Sequence, residues 1–323
     1  MKASILALTL CTLPGLAMAA PVAPVKAQLE SLAKETKLPY SELSKAVESA
    51  SLNPKVIDAM NHPWESKPWY QYSKIFLTDK RVRLGVDFWK AHAATLKRAE
   101  QEYQVPANLI VAILGVETYY GERMGDIPVL DALYTLGFHY PKRSAFFSKE
   151  FADYVKLSSE EKWPLTSMKG SYAGAMGMGQ FIPSSYLHYA VDFSGDGQRD
   201  LFNNPDDAIG SVANYFHQHD WQYSQPVAYP AHVTSDKADA LLSPKLKPEL
   251  SWKQLAKDGV SVDAKIPADA QVKLLKLKGK KSPDYWVVLD NFYVITRYNH
   301  SPLYAMAVYQ LSEQIAREYH ATS

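Results

Sequence analysis

A chain of 323 residues, 47% apolar and 21% charged, carries enough apolar material for a large core and is neither disordered nor fibrous in composition. Its 35 basic side chains are balanced by 34 acidic ones, which excludes strong electrostatic capture of nucleic acid or anionic lipid. Tyrosine is abundant, with 21 residues against 11 Phe and 7 Trp. An apolar ring with a polar tip suits wet surfaces that hold sugars or peptides, although half-buried packing accounts for most such residues.

The opening segment, MKASILALTLCTLPGLAMAA, has the plan of an export signal over residues 1–19. Lys2 supplies the positive start, Ile5 to Leu16 a short apolar stretch, and Ala17-Met18-Ala19 the cleavage site. The apolar stretch is too short to span a bilayer. Leu10 precedes the lone Cys11 where a lipoprotein signal has a small residue, so the mature chain is expected to be soluble, without a stable membrane anchor. Processing removes Lys2 and that cysteine, leaving 34 basic and 34 acidic groups and no disulfide. These features favour an extracytoplasmic enzyme or binding protein.

Residues 20–104 read as a helical domain, with Pro39 and Pro54 as breaks and a long helix from about Asp79 to Tyr103. Its expected apolar face carries Val82, Leu84, Val86, Phe88 and Trp89. Residues 105–225 read as helix after helix, with turns at Gly121, Gly125 and Gly137. Residues 226–290 change character: AQVKLLKL and DYWVVLDNFYVI are predicted strands of a small β-containing insert. Residues 291–323 return to a final helix over about 300–320, with Ala305, Val308, Leu311 and Ile315 on one face, joining the amino-terminal domain.

The stretch NLIVAILGVETYYGERMG, residues 108–125, is core-like until Glu117. With Pro106 in the first turn, Ile110, Ile113 and Glu117 fall on one helical face, and Leu109, Ala112, Leu114 and Val116 cover most of the rest. Desolvation makes such a carboxylate hold its proton, and a glutamic acid protonated near neutral pH can protonate the leaving oxygen of a glycosidic bond. An ion pair with Arg123 or a partly exposed helix end would account for the same residue. Glu122 is a poor substitute, lying roughly 140° further round the helix in a polar turn.

Two more windows carry chemistry. KGSYAGAMGMGQFIPSSYLHYAVDF joins glycines, which admit close backbone approach, to Ser171 and Gln180, which can fix hydroxyl or acetamido groups. It has no G-K-[ST] and no preceding strand, so it is no phosphate or dinucleotide cradle. DFSGDGQRDLFNNPDDAIGS begins like a calcium loop, with Asp192, Ser194, Asp196 and Gly197 at positions 1, 3, 5 and 6 and the Gln198 carbonyl at 7. Position 12 is Asn203 rather than a bidentate glutamate, so Asp206 or Asp207 must close a longer loop; a polar turn nested in Asx hydrogen bonds is the alternative. His217 and His219 lack a third zinc ligand. No G-x-S-x-G occurs.

Taken together, GVETYYGERMG, VLDALYTLGFHYPKR, GSYAGAMGMGQFIPSSY, DFSGDG, DAIGSVANYF and VITRYNHSPLYA resemble the lytic murein transglycosylase B family, over most of the mature chain and most densely from Val105 to Trp221. The resemblance implies a mainly α, α+β fold, with a lysozyme-like helical core, an amino-terminal helical domain and a small β part. It carries the acid/base role onto Glu117. It implies a glycan groove lined by Ser171, Gln180, Tyr215, Tyr298, Asn299 and Tyr304, with Lys142 or Arg143 near peptide or lactyl carboxylates. It suggests a structural Ca2+ held by Asp192, Ser194, Asp196, Gln198 and Asp207, with Asp206 possible because the chain has one extra residue there. It places the protein with the soluble periplasmic branch, acting on peptidoglycan glycan strands, with cell-wall synthesis or remodelling proteins as partners.

No second carboxylate is convincing, since Asp126 sits in a turn and Asp131 looks like a helix-start residue. A substrate N-acetyl group is therefore expected to supply the nucleophile, giving a 1,6-anhydro-MurNAc end without water and with no cofactor for catalysis. A hydrolytic muramidase and a non-catalytic peptidoglycan-binding scaffold are the rivals.

Overall fold

The computed structural model describes residues 25–62 and 67–322; the export signal read over residues 1–19 lies outside them. The chain begins with three short helices, α1 (Val25–Thr36), α2 (Tyr40–Ser49) and α3 (Pro54–Asn61). Asn53 caps α3 by accepting from the Lys55 N–H, with Pro54 at the first helical position, where no N–H is missed. Helices α4 (Trp69–Phe76), α5 (Asp79–Ala91), α6 (Ala93–Tyr103) and α7 (Ala107–Thr118) follow.

The long helix expected over 79–103 is two helices. His92 leaves helical geometry at φ −115°, ψ 25°, ending α5 and opening α6. The break lets the two halves serve different partners, because α5 packs on α7 and the last helix, whereas α6 packs on α7 and a later core helix. The buried stripe of α5 also differs from the expected one: it is centred on Arg81, Gly85 and Val86, and Leu84, Phe88 and Trp89 are only partly covered.

Helix α7 is the centre of the molecule. Every residue in it is buried except Asn108 and Glu117, as its all-round apolar sequence requires. Around it lie α8 (Val129–His139), α9 (Ser144–Glu160), α10 (Pro183–Tyr189) and α11 (Pro205–Gln218), with a two-stranded ribbon of β1 (Ile127–Pro128) and β2 (Lys169–Gly170). Asp131, in the first turn of α8, accepts the Ser51 N–H at 2.8 Å and so ties the amino-terminal helices to the core.

The β part is an antiparallel five-stranded sheet of β3 (Ala228–Val233), β4 (Leu250–Ser251), β5 (Val260–Ser261), β6 (Gln271–Leu277) and β7 (Asp284–Val288), in the order β4-β6-β7-β3-β5, with α12 (Trp252–Lys257) beside it. Alternation along β6 sends Val272 and Leu274 into a small core of the sheet's own, with Leu255, Val260 and Val287, and sends Leu275 and Leu277 into the main core. The run DYWVVLDNFYVI, expected as one strand, is a strand only to Val288. From Asp290 it is α13 (Asp290–Tyr298), which buries Phe292, Val294 and Ile295 against α14 (Pro302–Ala321). Packing against a helix overrides the β propensity of those residues. The face of α14 carrying Ala305, Val308, Leu311 and Ile315 is buried, against α4, α5 and α7. No described helix is long and apolar enough to cross a membrane.

Candidate active site

Helix α7 ends in an unusual way. Tyr119, Tyr120 and Gly121 follow in left-handed geometry at φ 58°, 63° and 94°. Such conformations cost a non-glycine residue about 1–2 kcal/mol each, so the surroundings must hold them. Tyr120 donates its backbone N–H to the Leu114 carbonyl, and Arg123 donates to that of Thr118. The Thr118 hydroxyl donates to the Met178 carbonyl at 2.8 Å and accepts the Gly121 N–H. The Tyr120 ring fills space that Gly115 and Gly85 leave open: a Cβ on either would come within 2.6 Å of the tyrosine. Glycine inside α7 is thus the condition for this ending.

Glu117 stands two residues before that bend, half-buried at the edge of a pocket of about 170 Å³ lined by Tyr72, Ile75, Phe76, Val116, Asn299 and Tyr304. Desolvation raises its pKa to about 7, and a hydrogen bond from the Tyr304 hydroxyl at 2.6 Å acts in the opposite sense. Glu117 makes no ion pair with Arg123, whose guanidinium lies over the Tyr119 ring instead. Tyr304 reaches Glu117 because Ser301 caps α14, accepting the Tyr304 N–H, and so sets the first turn of that helix against the end of α7.

Of the other residues expected in the groove, Asn299 lines this pocket with Tyr304. Tyr298 is partly covered; its hydroxyl donates to the Gly179 carbonyl, and its ring packs on Phe181 and Tyr215. Tyr215 is buried, with its hydroxyl donating to the Arg297 carbonyl at 2.7 Å, and it does not line the pocket at Glu117. The Ser171 hydroxyl accepts the Ala173 and Ala175 N–H groups, and the Gln180 amide donates to the carbonyls of Met124 and Gly177. Both therefore shape the glycine loop and tie it to the turn after α7. Lys142 and Arg143 are exposed on a single 3-10 turn, where Arg143 stacks over Phe146 and Phe147, and neither lines the pocket at Glu117.

Sequence reasoning missed the wall formed by Tyr72, Ile75 and Phe76. Tyr72 and Phe76 share a face of α4 at i and i+4, a pattern in the sequence, but nothing local says that this face meets Glu117.

The acidic loop is a separate construction. Carboxylate oxygens of Asp192, Asp196 and Asp207 lie within 4.8 Å of one another, the one such cluster of three among the described residues. Asp207 is fully buried and accepts three backbone N–H groups, from Phe193, Ser194 and Asp200. Asp192 accepts those of Gly195, Asp196 and Gly197, together with the Ser194 hydroxyl. Asp206 is not in the cluster: it accepts from the Thr95 hydroxyl at 2.8 Å and lies 3.9 Å from His92. Of the two aspartates, Asp207 is the one gathered with Asp192 and Asp196. The donors are all hard oxygens, three of them carboxylates, which fits Ca2+ rather than a softer metal. His217 and His219 point their Nδ1 atoms at the carbonyls of Tyr103 and Tyr215.

Comparison with known proteins bears on all of this. The sequence profile of the family described as "Transglycosylase SLT domain" matches residues 22–313. The membrane-bound lytic murein transglycosylase B of Escherichia coli K12 is 46% identical over 248 residues, covering 77% of this chain and 67% of that protein. The crystal structure of the soluble lytic transglycosylase SltB1 from Pseudomonas aeruginosa superposes with a TM-score of 0.84 at 43% identity, covering 91% of this chain and 98% of that one. The E. coli lytic transglycosylase Slt35, solved in complex with calcium, gives a TM-score of 0.82 at 40% identity, covering 91% and 93%. The fold is mainly helical and lysozyme-like with a small sheet, and the chain belongs to the lytic murein transglycosylase B family of enzymes.

Proposed function

We propose that Glu117 is the single acid and base of a lytic transglycosylase acting on the MurNAc-β-1,4-GlcNAc bond of peptidoglycan. The observation that carries this reading is the pocket itself: Glu117 is the one carboxylate among the described residues that line it, and it is poised as an acid near pH 7. The Glu117 carboxyl gives its proton to the bridging oxygen as the C1–O bond breaks, and the N-acetyl carbonyl oxygen of MurNAc attacks C1. The Glu117 carboxylate then takes the proton of the C6 hydroxyl, O6 attacks C1, and the acetamido oxygen leaves. Glu117 ends protonated, the product carries a 1,6-anhydro end, and no water is consumed. Tyr304 holds the carboxyl in place through both steps, and Asn299 is placed to meet the sugar.

In this reading residues 105–225 form the catalytic core, 20–104 with the 300–320 helix the flanking helical domain, and 226–290 the β-containing insert. Asp192, Asp196 and Asp207 hold a structural Ca2+ with the Ser194 hydroxyl and the Gln198 carbonyl. The ion's charge would offset three gathered carboxylates without entering the reaction. Export and the residue before Cys11 support a soluble periplasmic enzyme, with Lys142 and Arg143 available to the peptide stems.

The test is mass spectrometry of muropeptides released from purified peptidoglycan. Products one water lighter than reducing ends, absent with Glu117→Gln, support the reading. Reducing ends would make the protein a hydrolase. Chelation should lower Tm while leaving the products unchanged, and an unaltered Tm would remove the Ca2+ assignment.

A further inference from the structure

Arg81 is a buried cation that the proposed mechanism leaves unused. It is 6% exposed, and no carboxylate pairs with it among the described residues. Its guanidinium donates to the Ile75 carbonyl at the end of α4, while its Nε has no partner. The cation lies over two rings, Tyr119 at 4.3 Å and Phe76 at 5.2 Å. Its own carbonyl accepts the Tyr120 hydroxyl at 2.7 Å. Burying an unpaired charge is costly, and two aromatic faces and a carbonyl recover part of that cost. Arginine can do this because its planar group stacks and donates at once, which lysine cannot match.

These contacts join two structures that border the same pocket. Ile75 and Phe76 are wall residues facing Glu117, and Tyr119 and Tyr120 are the strained ending of its helix. We infer that Arg81 is a positioning residue, a clamp that holds the α4 wall against the end of α7 and so keeps water away from Glu117. This rests on the reading of Glu117 as the acid. The groups that bear on Glu117 are the hydroxyls of Tyr304 on α14 and Tyr298 on α13, with Tyr72 of α4 beside Tyr304. The charge of Arg81 acts on Tyr119, Tyr120 and Arg123 instead, so its effect must run through the wall.

The direction of a pH shift makes the clamp testable. A wetter pocket lowers the pKa of the acid, whereas loss of a directly felt cation would raise it. For Arg81→Met, the alkaline limb of kcat/KM should move down by about one unit from its parent position near 7. Activity then falls about fivefold at pH 7 and hardly at pH 5, since the protonated fraction at pH 7 drops from about one half to about one tenth. Tyr120→Phe, which keeps the ring and cuts only the tie to Arg81, should show a smaller shift of the same sign and serves if Arg81→Met does not fold. Asn53→Ala, which loses the cap of the distant α3, is the destabilised control and should lower activity without moving the limb. A limb that stays in place or moves up in the folded variants overturns the clamp while leaving Glu117 as the acid. A parent profile with no such limb overturns the Glu117 reading and the clamp with it.

Discussion

Two glutamates sit on core helices of this molecule and have opposite fates. Glu150 on α9 is 4% exposed and accepts two hydrogen bonds from one residue, the N–H and the hydroxyl of Ser184 at the start of α10. Glu117 on α7 accepts one, from the Tyr304 hydroxyl, and opens onto a pocket. Desolvation raises the pKa of both, and hydrogen bonds work against it in both. What separates them is access. Glu150 spends its oxygens on pinning α10 to α9, while Glu117 lines an open pocket. Burial alone therefore does not make an acid; burial, few donors and an open side do.

The contrast can be broken or sharpened by four measurements. The largest effect should be on turnover: Glu117→Gln is expected to cut release of anhydro-muropeptides by about 10³-fold or more, the scale of a lost general acid. A loss under tenfold would place the chemistry elsewhere. The same substitution should stabilise the fold above pH 7. Glu117 binds its proton more tightly when folded, with a pKa of about 7 against an ordinary 4.5, so its contribution to stability is present below pH 4.5 and is lost as pH rises through 7. The neutral amide avoids that loss, a gain of about 3 kcal/mol at pH 8 by denaturant titration. No difference between parent and variant at pH 8 would mean that the acid is well solvated.

Glu150→Gln should do the reverse. It leaves a buried Ser184 donor facing an amide N–H2, at a cost of about 2 kcal/mol in stability, while turnover per folded molecule stays within about twofold. A displaced pH profile would show that the two glutamates are not independent. The smallest effect belongs to Tyr304→Phe. Removing a hydrogen bond that favours the charged form should move the alkaline limb upward, with kcat down by about tenfold from looser placement. A downward shift would mean that the vacated space had filled with water.

Much of the site was legible because α7 announces itself: an apolar circumference interrupted at Glu117 forecasts both a central helix and an odd carboxylate. The acidic loop was legible for a similar reason, since its ligand spacing is a local property of the chain. The misreadings have a common origin. Breaking 79–103 at His92 and folding Asp290–Tyr298 as a helix both follow from which neighbours those segments meet. Tyr215, which the resemblance places in the groove, does not line the pocket at Glu117, and its hydroxyl donates to the Arg297 carbonyl.

By itself, the sequence determined which residue could be the acid, the loop that could hold a hard cation, the helical character of the core and the change to strands beyond residue 226. These depend on periodicity and spacing, which act within a few residues of chain. Only the tertiary structure decided that Tyr304, 187 residues away, grips Glu117, that Asp207 rather than Asp206 joins the acidic cluster, and that Arg81 lies between the α4 wall and the end of α7. Desolvation and hydrogen-bond geometry are set by whatever packs around a group, and in this protein those neighbours come from segments far apart in the chain.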